Sequence, residues 1–154
     1  MQWHDDQKFL FVSLFLIANK LQIIGDRYLA PVDLTTKQWL LMVMILQFGQ
    51  NPPTISQAAG IIGSSRQNVK QLALKLEKNG YIKIEKDSGD SRILRLRLTN
   101  KHMKLWEERS SMDEDFLANL FSEIDSSDLH ETASAMDKIL EKTEMLMRDY
   151  NLEI

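Results

Sequence analysis

Thr54-Ile55-Ser56-Gln57-Ala58-Ala59-Gly60-Ile61-Ile62-Gly63-Ser64-Ser65-Arg66-Gln67-Asn68-Val69-Lys70-Gln71-Leu72-Ala73-Leu74-Lys75-Leu76-Glu77-Lys78 is the stretch that decides how this chain folds. In its first half Ile55, Ala58, Ala59 and Ile62 fall at i, i+3, i+4 and i+7, one apolar stripe of a short helix with Thr54 at the N-cap. Gly63 supplies a turn. A second helix from about Ser65 to Lys78 repeats the spacing with Val69, Leu72, Ala73 and Leu76, so the two stripes can pack on each other.

At about 100° per residue, the opposite side of the second helix carries Ser64, Gln67, Lys70, Gln71, Lys75 and Lys78, with Arg66 and Asn68 at its borders. No acid precedes Glu77 there. In helix-turn-helix units the N-terminal residues of the second helix enter the major groove, where Gln or Asn pairs bidentately with adenine and Arg or Lys with guanine. Arg66, Gln67, Asn68 and Gln71 have that chemistry. The plain alternative is a solvated helix face that needs no partner. Leu74 lies on this outward side too, and nothing in the sequence explains it.

Beyond this pair of helices, Tyr81 to Lys86 and Ile93 to Thr99 both alternate with period two. Ile82 and Ile84 face one way, with Leu94, Leu96 and Leu98 in the second run, while Lys83, Glu85, Arg95 and Arg97 face the other, which predicts a half-buried hairpin. Its loop, Asp87-Ser88-Gly89-Asp90-Ser91-Arg92, is rich in turn formers and ends in a cation that can reach a phosphate or a narrow minor groove. From Ser64 to Lys101 there are ten Lys or Arg and four Asp or Glu, net +6, within a chain whose overall charge is -3. The remaining residues therefore carry net -9. Such segregation is the footprint of a nucleic-acid site on an otherwise acidic protein.

The segment resembles the winged helix-turn-helix of MarR-type bacterial transcriptional regulators. Leu76-Glu77-Lys78-Asn79-Gly80-Tyr81-Ile82 is similar to that family's helix exit into the wing, Asp90-Ser91-Arg92 to its wing-tip Asp-x-Arg, and Leu98-Thr99 to the Leu-Thr that closes the wing. The resemblance implies a recognition role for Ser64, Ser65 and the residues on to Gln71, a minor-groove contact by Arg92, and an orienting role for Asp90. One departure is His102, where the family commonly has a glycine.

A chain of 154 residues with 44% hydrophobic composition suffices for one compact domain with helical extensions. It has no cysteine, which excludes disulfides, thiolate metal sites and a thiol redox sensor. The apolar run Phe9 to Ala18 is shorter than the roughly 20 residues that span a bilayer. Asp5 and Asp6 stand where a signal peptide has its cations, so the expectation is a cytoplasmic protein without a membrane partner.

From about Asp5 to Leu29 the pattern is helical, and between Phe9 and Ala18 it is apolar on nearly every side. A second subunit is the economical cover for such a helix; a central position in a monomer is the alternative. Thr35-x-x-Gln38 then reads as a capping box opening a helix through Trp39 to Leu46 that ends near Gly49. After the hairpin, long helices are expected from about Asn100 to Ile124 and from about Ser126 to Tyr150. In the last, Leu129, Ala133, Met136, Leu140, Thr143, Met147 and Tyr150 form one seam suited to helix packing. The resemblance implies that such terminal helices interdigitate between two subunits. The expected fold is mostly α with a small β-hairpin wing: residues 1–34 and 100–154 for dimerisation around a winged helix-turn-helix at 35–99.

No catalytic or metal constellation emerges. His4, His102 and His130 are dispersed and read as isolated, solvated histidines. Asp113-Glu114-Asp115 are consecutive and point around a helix, a solvated face in preference to a metal site. Asp87 to Asp90 opens like a calcium loop but has Leu98 at the twelfth position, and the Gly60 to Ser65 run lacks a phosphate-loop lysine. The expectation is therefore no enzyme and no cofactor. It is instead a homodimeric regulator, a repressor that binds a palindromic operator in double-stranded DNA. A winged-helix adaptor for proteins and a nonspecific architectural DNA binder are the alternatives. The resemblance further implies a small-molecule site between dimer helices and reading unit, for which Tyr28, Trp39, Met42, Met103 and Trp106 are the apolar candidates toward an aromatic effector. Ordinary core is the other reading of those five.

Overall fold

The computed structural model describes residues 5–150, so the expectation for His4 lies outside the described residues. Helix α1 (Asp6–Leu29) leads through a 3-10 turn (Ala30–Val32) into α2 (Thr36–Leu46), and α3 (Ile55–Ile62) and α4 (Arg66–Lys78) follow. Strands β1 (Ile82–Lys86) and β2 (Leu94–Leu98) then pair antiparallel, before the long helices α5 (Asn100–Leu120) and α6 (Ser126–Asp149).

Side-chain caps explain the starts of α1, α2, α3, α4 and α6, whereas Thr99 makes no such bond at the start of α5. Asp5 caps α1 by accepting from the Gln7 amide. Both Thr35 and Thr54 form reciprocal capping boxes, with Gln38 and Gln57 respectively. Ser65 caps α4 by accepting from the Asn68 amide at 3.2 Å, and Asp125 caps α6 through the Asp128 amide at 2.9 Å. Gly63, in the left-handed region at φ 68°, ends α3 and makes the sharp turn into α4.

The core lies among α2, α3, α4 and the wing. Leu41, Met42 and Ile45 of α2 meet Ala58 and Ala59 of α3, Val69, Ala73 and Leu76 of α4, and Ile82 and Leu96 of the hairpin. Only alanines face inward from the middle of α3, which lets its backbone sit close to its neighbours. The strand register sets Ile82 opposite Leu98 and Ile84 opposite Leu96, so the apolar positions share one face as their alternation predicts. Leu105 ties the start of α5 into this core.

Two helix ends fall earlier than expected. After Leu46 the chain passes through turns to Gly49 at φ 54°, and after Leu120 the Phe121–Ile124 segment closes on itself through an Ile124 amide to Phe121 carbonyl bond of 3.0 Å. Outside the core the single chain leaves much apolar surface uncovered. Leu29 alone is buried among the described residues of α1, and none is buried in α6. Phe9, Leu10 and Ile17 are about half exposed, and Leu140 in the α6 seam is 64% exposed.

The apolar length of α1 exceeds the short Phe9–Ala18 run. The helix continues well past that run, and an 18-residue window within Asp6–Val32 reaches a mean hydropathy of 1.5. By length and composition alone this helix can cross a bilayer. Its far end, however, is fastened to the start of α2 by polar bonds: Thr36 Oγ1 donates to the Gln22 carbonyl at 3.0 Å, and the Thr36 amide donates to Asp26 at 2.7 Å. Gly25 permits that close approach, since a Cβ there would collide with the Thr36 hydroxyl.

Candidate nucleic-acid interface

The outward face of α4 is composed as its periodicity predicts. Arg66, Gln67, Asn68, Lys70, Gln71, Lys75 and Lys78 are all exposed, whereas Val69, Ala73 and Leu76 are buried. Ser64 is half-buried, and its amide donates to the Ala59 carbonyl in the turn. Ser65 is exposed, but its hydroxyl is occupied by the helix cap. The glutamines and lysines are therefore the side chains of this face most available to a ligand. The amides of Gln67 and Gln71 offer both donors and acceptors, and the ammonium groups suit phosphate.

At the wing tip Asp90 grips Arg92 from three directions. Its Oδ1 accepts from the Arg92 backbone amide and from Nε, each at 3.0 Å, and its Oδ2 accepts from Nη2 at 2.8 Å. This fork holds the Asp90 carboxyl below its ordinary range and the arginine above its own, through their mutual hydrogen bonds. The Arg92 side chain nevertheless remains 87% exposed, an aimed cation instead of a buried ion pair.

The other wing cations have different duties. Arg95 binds the Asp87 carboxylate through Nε and donates from Nη1 to the Pro52 carbonyl at 2.8 Å. The Leu96 amide adds a bond to the Pro53 carbonyl, so β2 is stitched to the segment that enters α3. Asp87 is held well ionised by Arg95 and also accepts from the amides of Gly89 and Asp90, shaping the loop. Arg97 pairs with Glu85 at 2.9 Å across the strands. Thus part of the positive charge counted along this segment serves wing architecture.

The wing root is fixed to both neighbouring helices. Thr99 donates its hydroxyl to the Gly80 carbonyl at 2.7 Å, Lys101 donates to the Asn79 carbonyl at 2.7 Å, and the Lys101 ammonium lies over the Tyr81 ring. Tyr81 donates its hydroxyl to the Val32 carbonyl, and the Asn79 side chain donates to the Asp33 carbonyl, both on the link between α1 and α2.

The five apolar effector candidates are not all brought together. Trp39 and Trp106 lie parallel, centroids 6.3 Å apart, between α2 and α5. Tyr28 stands farther along α5, stacked on Phe116. Met42 is fully buried in the core, and Met103 is exposed on the outer side of α5.

Two expectations about polar residues are overturned here. His102 is not solvated: it is 1% exposed, packed against Trp106, and neither ring nitrogen has a hydrogen-bond partner. Asp113 is not on a purely solvated face, because its Oδ1 accepts from the Tyr28 hydroxyl at 2.8 Å and from Arg109 at 3.4 Å. Arg109, 7% exposed, also stacks its guanidinium over the Tyr28 ring. Sequence spacing does show that His102, Trp106, Arg109 and Asp113 share one helical face, but not that α1 and α2 cover it. His130 is exposed, and among the described residues no group of three or more potential ligands converges on a metal position.

No protein-family model matches the chain. The transcriptional activatory protein BadR of Rhodopseudomonas palustris is 28% identical over 99 residues, 64% of this chain and 57% of that protein. The transcriptional repressor MprA of Escherichia coli is 28% identical over 112 residues, 71% of this chain and 64% of its own length. The chain thus spans about three-fifths of the curated relatives it matches. Among solved structures, a MarR protein from Peptoclostridium difficile superposes with a TM-score of 0.83 at 14% identity, covering 97% of both chains. MepR of S. aureus, in a complex with DNA, gives 0.72 at 21% identity over 88% of this chain and 96% of that one. An organohalide-sensing RdhR regulator in its 2,4-dichlorophenol-bound form gives 0.76 at 18% identity over 92% and 83%.

Proposed function

We propose that this chain, whose fold is that of the MarR-type winged-helix regulators, is a sequence-specific DNA-binding transcriptional regulator acting as a homodimer in the cytoplasm. The observation that carries the proposal is the outward face of α4, where exposed Gln67, Gln71 and Asn68 stand among Lys70, Lys75 and Lys78, with an oriented and exposed Arg92 on the adjoining wing. Ser64, Ser65 and Arg66 open that face, and Asp90 acts on it through Arg92. Amide side chains favour base reading over simple phosphate binding, and so favour this reading over an architectural DNA binder or a protein adaptor. MepR supports it as a protein of the same fold in complex with DNA.

The uncovered apolar faces of α1 and α6 support a dimer in which residues 1–34 and 100–154 hold two copies together around reading units at 35–99. Two copies bind a palindromic operator, with half-sites about 10 to 10.5 bp apart centre to centre. Repression is the sense we assign, as in the name of MprA, although BadR is named as an activator. A small aromatic effector acting beside Trp39, Trp106 and Tyr28 is supported by the dichlorophenol-bound regulator of the same fold. An inducer there must favour the DNA-incompetent state, since equal affinity for both states shifts nothing.

The test is selection of duplexes from a random-sequence pool, followed by gel shift on selected and unselected DNA. An enriched inverted repeat is expected. Equal retention of all sequences would favour the architectural reading, and no retention would favour the adaptor.

A further inference from the structure

We propose that Leu74 is a base-reading residue that takes the C5 methyl group of thymine in the major groove. The inference rests on the DNA-binding reading above and extends it to an apolar side chain in an otherwise polar surface. Leu74 is 43% exposed in the middle of α4. It is displaced from Gln67 by seven residues, so it lies within about 20° of the same helical direction and roughly 10 Å farther along the axis. Its neighbours on that face are Lys70, Gln71, Lys75 and Lys78, all exposed. The buried side of the helix needs nothing from it, because Val69, Ala73 and Leu76 already supply the contribution of α4 to the core.

Exposure of one leucine is ordinary on a protein surface, but its setting here is not indifferent. The surrounding cations and amides select a polyanion with hydrogen-bonding edges, and on the floor of the major groove such a ligand offers one apolar group, the thymine methyl. Gln67 and Leu74 stand about two turns of α4 apart, far enough to meet different base pairs along a groove. Gln67 and Leu74 can therefore read different base pairs of one half-site, the glutamine by hydrogen bonds and the leucine by exclusion of water from a methyl group. A polar side chain at position 74 would discriminate at that step in another way or not at all.

The experiment uses the full chain and a duplex that it selects from a random pool. Thymines are replaced by deoxyuridine one symmetric pair at a time, which removes the methyl and leaves base pairing intact. For the wild type, one pair of replacements should weaken binding about fourfold per methyl, the factor that corresponds to loss of one buried methyl-sized group. Leu74→Ala should lose a similar factor on the thymine duplex and become indifferent to deoxyuridine at that pair. Circular dichroism of Leu74→Ala checks that α4 is intact. The proposal is overturned if the wild type tolerates every deoxyuridine, if Leu74→Ala keeps the wild-type sensitivity, or if Leu74→Ala changes self-association without DNA, which would make Leu74 a protein contact. Failure to select or shift any duplex would instead overturn the DNA-binding reading, and this assignment with it.

Discussion

The imidazole of His102 lies 4.7 Å from the ring of Trp106, tilted by 40°, and Trp106 in turn stacks on Trp39 of α2. This column joins the first turns of α5, just beyond the wing, to the helix that carries the reading unit. Its histidine is buried with neither nitrogen bonded, so burial pushes its pKa below the ordinary 6.5. As pH falls below 6.5, the unfolded chain gains a proton at His102 that the folded chain resists, and stability drops until the lower folded pKa is passed. Above that window the residue contributes no pH dependence. Thermal melts between about pH 7.5 and pH 5 should show this loss in the wild type, and His102→Leu should flatten it. Parallel curves for the two proteins would show that His102 accepts its proton without cost.

Wing contact predicts a change in salt dependence. Arg92→Ala should reduce the slope of log affinity against log salt by about 0.9 for each phosphate that is no longer neutralised. Asp90→Ala keeps the cation but frees it, so affinity should fall while most of the slope survives. If Arg92→Ala leaves both affinity and slope unchanged, the wing is outside the interface.

Base reading by Gln67 predicts a local loss of specificity. A bidentate amide-to-adenine pair contributes about 1 to 3 kcal/mol of discrimination, so Gln67→Ala should relax one position of each half-site and leave the others sharp. Site selection with the variant measures this directly. An unaltered preference at every position would reassign Gln67 to phosphate or to solvent.

The uncovered seam on α6 predicts assembly through it. Leu140→Glu places a charge in the middle of that seam and should shift the protein from dimer to monomer in sedimentation at micromolar concentration, with operator affinity falling in parallel. A wild-type monomer, or a Leu140→Glu dimer with unchanged dissociation, would remove α6 from the interface.

An effector beside the tryptophan pair predicts a fluorescence response. Titration of aromatic acids and phenols against the operator complex should quench Trp39 and Trp106 as DNA is released. Replacement of both by leucine should abolish the response and weaken release. Release that persists unchanged in the double variant would place the effector elsewhere.

Helix starts and the wing were legible because their causes are local, whereas the ends of α2 and α5 fell short of the sequence reading. Capping boxes at Thr35 and Thr54, the left-handed turn at Gly63 and the alternation of Ile82, Ile84, Leu96 and Leu98 depend on residues a few positions apart. The outward face of α4 was equally legible, since one helical period sorts its core side from its exposed side. What could not be read were the pairings between distant segments. Tyr28 and Asp113 are 85 positions apart, and Pro52 and Arg95 are 43 apart.

By itself, therefore, the sequence determined the elements and the charge of their faces, through spacing and capping that act over one or two helical turns. Only the tertiary structure decided that His102 is buried without a partner, that Asp113 is bonded to Tyr28, and that Arg95 holds the wing while Arg92 stays free of the body. The physical reason is that burial and long-range hydrogen bonding depend on which elements cover a face, and that is set by packing across the whole chain.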